Sequence, residues 1–263
     1  MVQSIYYNGN EYRPRSMQEQ YLGYILASVA SGGIMKGLSV TGNSFHKELV
    51  KQQVNNPTYK EYLYKALEKS GLDKIIDIVP AQLYPNKFPV EAAAQNACYI
   101  PDAKKIILNT DKISHAGFHE IGHAMNHLKS KFGLKYLQNM RRGGYAIAGL
   151  MEFFAVLSRT KPKDAKRTPI DVIEDNCGKI TFLALMPTVI EEAAASVRGV
   201  KLAKESGLSE PMIKNLNKLY TKALSTYVGY AALAGFAVYA SRKIMDYFSR
   251  PKKIEQPEFS FFG

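Results

Sequence analysis

The residues best suited to chemistry lie in one pentapeptide, His119-Glu120-Ile121-Gly122-His123. On an α-helix, residues four apart differ by about 40° around the axis, so His119 and His123 project from one face and can reach one ion. Zinc binds histidine nitrogen and, in catalytic sites, keeps one position for a water molecule, which a neighbouring carboxylate can deprotonate. The spacing therefore predicts that His119 and His123 bind zinc, with Glu120 as the general base.

Two further histidines, His115 and His127, continue the same four-residue spacing. The pairs 115/119 and 123/127 are spaced as metal ligands would be, but only His119 is followed directly by a glutamate. We therefore expect His115 and His127 to be groups on the helix surface, or hydrogen-bond partners of the ligands, rather than ligands themselves.

A catalytic zinc site needs a third protein ligand. No histidine follows His127, so a downstream carboxylate is expected to supply it. The candidates include Glu152, Asp164, Asp171, Glu174, Asp175, Glu191 and Glu192.

We favour Glu192, because residues 193–196 (Ala-Ala-Ala-Ser) would let its helix pack closely against the histidine helix. If one helix leads away from the histidines and the next leads back, Glu192 also returns to the starting side. Glu191 is the neighbouring alternative and is otherwise expected to be a solvated charge at the end of an apolar run. Glu152 is less favoured, because it interrupts an apolar stretch where an unpaired carboxylate would be costly.

Short β-branched and apolar runs precede the histidine motif and predict a small sheet or hairpin. These runs are residues 75–79, 97–100 and 105–108, with a Pro-Asp turn signal at 101–102. Residues 42–72 have a helical, charged pattern that closes at Ser70-Gly71. From Ser114 onward, Ile121, Ala124, Met125 and Leu128 recur at helical spacing, which places the motif on an amphipathic helix.

Four apolar stretches suggest further helices. Residues 21–40 form either a weak membrane anchor or a packed helix, and the stretches 145–157, 180–190 and 227–240 follow the motif. The last three are only 11 to 14 residues long, short of the roughly 20 that a bilayer-spanning helix needs, so buried core helices are at least as well supported as membrane spans.

The motifs and apolar stretches divide the sequence into four consecutive parts. We expect an N-terminal segment with an optional anchor at 1–41, a part with the histidine motif at 42–143, a helical part with the third ligand and the apolar helices at 144–248, and a tail at 249–263.

The 263-residue chain has 35 Lys and Arg against 23 Asp and Glu, which favours contact with anionic surfaces. Lipid is expected rather than nucleic acid, because the basic residues cluster beside apolar runs and no nucleic-acid-binding signature is present. The clusters are Lys129, Lys131, Lys135, Arg141 and Arg142; Arg159, Lys161, Lys163, Lys166 and Arg167; and Arg242, Lys243, Arg250, Lys252 and Lys253.

The two cysteines, Cys98 and Cys177, predict thiols rather than a disulfide framework.

Together, three stretches resemble the gluzincin peptidases and, within them, the YugP-type membrane zinc metallopeptidases. The most specific is the metal helix at 119–124. Residues 95–99, followed by 105–108, resemble the edge strand that holds extended substrate in related enzymes. Residues 185–198, with 226–228 later, are similar to the helix that carries the third ligand and to the final apolar helix.

The resemblance implies a mainly α fold with a small β-hairpin or sheet, zincin-like and membrane-embedded, with zinc held by His119, His123 and Glu192. It also implies that Asn96 and Ala97 contact the substrate. An oxyanion donor is expected as well, and without a downstream histidine the candidates are Arg198 and Tyr227.

The expected function is therefore zinc-dependent endopeptidase activity on a peptide or protein, with membrane lipid and no nucleic acid as a partner. The expected location is the cell membrane, as an integral protein. Two alternatives stay open: a non-catalytic, membrane-associated scaffold with a structural or vestigial zinc site, and a soluble peptidase of the cytoplasm.

Overall fold

The computed structural model describes residues 4–51, 58–93, 96–111, 113, 115–130, 133–157, 161–162 and 164–254. Within these ranges the chain is mainly α-helical with two small sheets, which confirms the predicted mixture. The helices are α1 (Met17–Lys51), α2 (Thr58–Lys69), α3 (Pro89–Ala93), α4 (Ala116–Leu128), α5 (Leu134–Leu157), α6 (Pro169–Asp175), α7 (Cys177–Glu205) and α8 (Glu210–Ser249). The strands are β1 (Ile5–Tyr7), β2 (Asn10–Arg13), β3 (Asp77–Pro80), β4 (Ala97–Ile100), β5 (Lys105–Leu108) and β6 (Lys252–Lys253).

Two compact units make up the fold, and both draw on separated parts of the chain. The first comprises Met1–Leu38, Tyr145–Ala184 and Ala231–Gly263, and the second comprises Ser39–Gly144 and Leu185–Tyr230. The units are thus interleaved along the sequence.

The second unit is built around a three-stranded sheet of order β3-β5-β4. β3 runs parallel to β5, and β4 runs antiparallel to it, so β4 is at the edge of the described sheet. α4 packs against β4, β5 and α2. The core contains the buried side chains of Leu63, Leu72, Ile106, Phe118, Ile121 and Leu216.

Local signals explain where several of these elements end. The Pro101-Asp102 turn, completed by Lys104 at φ +52°, joins β4 to β5 at the predicted boundaries. α2 ends at Lys69, and Gly71 follows with φ +62°, a conformation that favours glycine, so the predicted stop at Ser70-Gly71 is confirmed. β3 begins two residues later than the predicted run 75–79.

The first unit combines helical segments with the antiparallel sheet β1-β2-β6. α7 and α8 meet there at glycines: a Cβ at Gly178 would lie 2.6 Å from the carbonyl oxygen of Gly235. Met151, Ala155, Cys177 and Val238 form its small buried cluster.

Three helices extend well beyond the apolar stretches from which they were predicted. The stretches 145–157, 180–190 and 227–240 lie inside helices of 24, 29 and 40 residues. Good helix formers such as Lys, Arg and Glu extend each helix beyond its apolar part, which an analysis of hydropathy alone misses. Residues 21–40 likewise belong to one helix, α1.

Two of these helices, α7 and α8, are long and apolar enough to span a membrane. This criterion uses only length and composition, and core helices of soluble proteins also meet it. In the most apolar 18-residue segment of each helix, however, only 44% is buried in α7 and 28% in α8. Much of their apolar surface therefore remains outside the protein interior.

Candidate metal centre

The centre lies in the second unit, where α4 and α7 cross with their backbones in contact. A Cβ at Gly122 would lie 2.1 Å from the carbonyl oxygen of Ala195, and one at Gly199 would lie 2.7 Å from that of Phe118. The close packing expected from the small residues after Glu192 is therefore confirmed. It leaves the side chains of His119 and His123 directly opposite the acidic part of α7.

Three side-chain atoms converge at this crossing. The Nε2 atoms of His119 and His123 are 2.9 Å apart, and the Glu192 Oε2 lies 3.1 Å from the first and 3.6 Å from the second. Ligand atoms around tetrahedral zinc, each about 2.0 to 2.1 Å from the ion, are about 3.3 Å from one another. The three atoms thus have the spacing of three corners of a zinc tetrahedron.

The opposite edges of both imidazole rings are also engaged. Nδ1 of His119 lies 3.2 Å from the Ser196 hydroxyl, and Nδ1 of His123 lies 2.8 Å from Glu191 Oε1. A proton held at Nδ1 by these acceptors leaves the Nε2 lone pair free for a metal ion, as in carboxylate–histidine–zinc sites. The ring of Tyr220 packs against His119 with centroids 5.3 Å apart. These contacts fix the orientation of the rings.

The alternative role given to Glu191, a solvated charge, is wrong. Its side chain is fully buried and contacts His123, the Asn126 amide at 3.0 Å and Arg141 at 3.4 Å. Because α7 continues to Glu205, residue 191 is in the helix interior and is covered by α4 rather than exposed at a helix end. Glu191 thus supports the His123 ring while the adjacent Glu192 faces both Nε2 atoms.

Glu120 is buried, with 8% of its surface exposed, and its carboxylate lies within 4.8 Å of both imidazoles. The backbone N–H of Tyr99 in β4 donates to Glu120 Oε2 at 2.7 Å, which fixes the carboxylate. Burial raises the pKa of Glu120, although the neighbouring imidazoles oppose that rise. The group is positioned to exchange a proton with a molecule bound at the centre.

The electrostatics of the cluster favour a cation. Burial lowers the pKa of His123, but the carboxylates of Glu120, Glu191 and Glu192 outweigh that effect and raise the pKa to about 10. A proton on His123 or a metal ion at Nε2 satisfies the same negative surroundings. The donor set of two imidazoles and a carboxylate is one that zinc uses in catalytic sites.

The sequence matches no family model, and no curated protein or solved structure matches it either.

The two residues predicted to contact substrate lie at the start of β4, the strand whose Tyr99 N–H reaches Glu120. Ala97 is the first residue of the edge strand β4, and Asn96 is exposed just before it. Because the Tyr99 N–H points to Glu120 and not to β5, the outer edge of β4 faces the general-base candidate. The neighbouring Gln95 lies outside the described residues.

The structure separates the two candidates for the oxyanion donor. Tyr227 lies close enough to Glu192 for the carboxylate to act on its hydroxyl, which places Tyr227 near the centre. Arg198 is half-buried on α7, and within the part of the chain that is described it makes no hydrogen bond or ion pair with the centre.

The remaining titratable candidates have other partners. The His115 carbonyl accepts a hydrogen bond from Tyr220, and burial lowers the pKa of the His115 ring to about 4. His127 Nδ1 pairs with the Tyr99 hydroxyl at 2.9 Å. Glu152 belongs to the first unit, where Ser241 donates to it at 3.2 Å.

Arg141 was not predicted to be part of the centre, because in the sequence it belongs to a basic cluster that was expected to contact lipid. That assignment is wrong, because Arg141 Nη2 lies 3.0 Å from Glu192 Oε1 and Nη1 lies 3.4 Å from Glu191 Oε2. Two consecutive glutamates in a buried helix require a nearby cation, and that requirement is the signal that was available. The sequence did not indicate which basic residue would supply it.

Proposed function

We propose that this chain is a zinc-dependent endopeptidase that acts at or in a membrane. The observation that carries the proposal is the triangle formed by His119 Nε2, His123 Nε2 and Glu192 Oε2, with sides of 2.9 to 3.6 Å, beside the buried carboxylate of Glu120.

When bound, zinc supplies a Lewis acid that polarises the scissile carbonyl and lowers the pKa of a coordinated water. Glu120 takes the proton of the attacking water and delivers it to the leaving amine. Its raised pKa favours the first transfer, because it makes the protonated carboxyl easier to form. The Tyr99 N–H keeps the carboxylate aimed at the centre during these steps.

The substrate binds as an extended peptide along the outer edge of β4. Edge strands offer unpaired N–H and C=O groups to such a segment, and Ala97 lies on this strand, with Asn96 before it. Of the two candidates for stabilising the developing oxyanion, Tyr227 is better supported than Arg198, because it lies near the Glu192 carboxylate.

A membrane location is supported by the apolar helices and by the surface of the first unit. Large apolar side chains are exposed on α1, α5, α7 and α8 of that unit, and exposed apolar patches can mark membrane contacts. They include Tyr21, Leu22, Ile25, Val29, Ile147, Leu150, Phe153, Leu183, Leu233 and Phe236.

Replacing Glu120 with Gln tests the catalytic role. The carboxamide has nearly the same size but cannot act as a base, so zinc should stay bound while peptide cleavage is abolished. Full-length protein in detergent would be assayed for zinc content and for cleavage of a quenched peptide library. Retained cleavage would remove Glu120 from this role.

The same preparation distinguishes the alternatives. A zinc-loaded wild type that cleaves nothing, with a fourth protein ligand in its metal spectroscopy, would favour the scaffold. The engagement of Glu191 with His123, Asn126 and Arg141 argues against Glu191 as that ligand. Partition of the full chain into the aqueous phase without detergent would instead favour a soluble peptidase.

A further inference from the structure

We infer that Arg141 is a positioning residue that holds Glu192 as a one-oxygen metal ligand. Its guanidinium lies 3.0 Å from Glu192 Oε1 and 3.4 Å from Glu191 Oε2, and its side chain is 30% exposed. The inference rests on the proposed metal site and adds a role for a residue outside the ligand set.

The two oxygens of Glu192 have different partners. Oε2 faces the imidazoles of His119 and His123, whereas Oε1 is occupied by Arg141. A carboxylate with both oxygens free can chelate an ion and fill the coordination position that a water molecule needs. By occupying Oε1, Arg141 leaves a single oxygen for the metal.

Charge balance gives a second reason for an arginine here. Glu191 and Glu192 are consecutive carboxylates with side chains 0% and 4% exposed, and Glu120 adds a third buried acid. Two adjacent carboxylates in a dry site repel each other, and a cation that contacts both offsets that repulsion. Three carboxylates, one guanidinium and a dication sum to zero formal charge.

The geometry also requires arginine rather than lysine. Separate nitrogens of the planar guanidinium, Nη1 and Nη2, contact separate glutamates. A lysine ammonium is a single point charge and cannot reproduce this fork. The neighbouring Arg142 is exposed and serves as a matched control for loss of one positive charge from α5.

The test is zinc affinity, measured by chelator competition on full-length protein in detergent. R141A should weaken zinc binding on the order of 10- to 100-fold, the usual cost of removing a group that orients a ligand, and R141K should recover only part of it. R142A should bind as wild type. If Arg141 acted only as a nearby positive charge, R141A would instead bind zinc more tightly, because removing a positive charge favours binding of a dication.

Two further readouts separate positioning from general damage to the fold. In the cobalt-substituted protein, R141A should change the visible spectrum from a four-coordinate to a five-coordinate form as Glu192 becomes bidentate. Added guanidinium should restore the wild-type spectrum in R141A but not in E192A.

Unchanged or tighter zinc binding in R141A, with a wild-type cobalt spectrum, overturns the role of Arg141 and leaves the proposed function standing. Failure of the wild type to bind zinc overturns both the role of Arg141 and the proposed function. A wild type that binds zinc but cleaves nothing overturns the peptidase proposal alone, since the affinity and spectral differences do not depend on cleavage.

Discussion

Gly122 of α4 faces the backbone of Ala195 on α7, so closely that a Cβ at position 122 would lie 2.1 Å from the Ala195 carbonyl oxygen. Backbone atoms cannot move aside as a flexible side chain can. The absence of a side chain at Gly122 is therefore what allows the imidazoles of one helix to reach the carboxylate of the other.

Replacing Gly122 with Ala should separate the two helices. We expect a loss of stability at the upper end of the overpacking range, about 3 kcal/mol, together with loss of zinc binding. Gly143 on α5 has nothing within 4 Å of its would-be Cβ, so G143A should be neutral or slightly stabilising. Thermal unfolding and zinc content of both variants check this, and a G122A protein with wild-type values would contradict it.

Removing the Glu192 carboxylate should abolish stoichiometric zinc binding. In E192A only the two imidazoles remain of the triangle, whereas E191Q keeps all three ligand atoms and loses only the charge beside His123. We expect E191Q to bind zinc about 10- to 100-fold more weakly than wild type. Metal analysis after gel filtration measures both, and full zinc occupancy in E192A would exclude Glu192 as a ligand.

Zinc binding should strengthen as pH rises. The pKa of His123 in the metal-free protein is about 10, so at neutral pH the ring carries a proton that zinc must displace. Affinity should therefore increase about tenfold per pH unit for one displaced proton, up to the pKa of His123. Calorimetry in buffers of different ionisation enthalpy counts the released proton. E191Q removes one of the carboxylates that raise this pKa, so its zinc affinity should stop increasing at a lower pH than that of the wild type.

The Tyr99 N–H should matter for catalysis and not for metal binding. It donates to Glu120 and lies on the outer edge of β4, where a proline interrupts no ladder hydrogen bond. Y99P should keep zinc while kcat falls about 10- to 100-fold, the range for losing a hydrogen bond to a charged group. Y99F retains the N–H and loses only the contact with His127. A similar loss of kcat in both variants would implicate the phenol instead.

The parts of the fold that the sequence predicted well are those governed by local signals. The turn after Ile100 sets the ends of β4 and β5, and helical spacing places the histidines on α4. The small residues after Glu192 predicted the helix crossing, because only small side chains permit backbone contact. The roles of zinc and Glu120 stay predictions.

The features that were missed depend on contacts between distant residues. Arg141 is 50 residues from Glu191 in sequence, and composition made it look like one member of a basic cluster. The burial of Glu191 follows from the continuation of α7, which apolar patterning alone truncated. Neither the pairing of specific charges nor the full extent of a helix can be deduced from hydropathy.

Residues 145–184, which belong to the first unit, lie in the sequence between the two imidazoles and Glu192. A single proteolytic cut between α5 and α6 would therefore leave the histidines on one fragment and their carboxylate on the other. Neither fragment would contain a complete set of ligands. In a nicked molecule, zinc would then join the two pieces, and chelation would favour their separation.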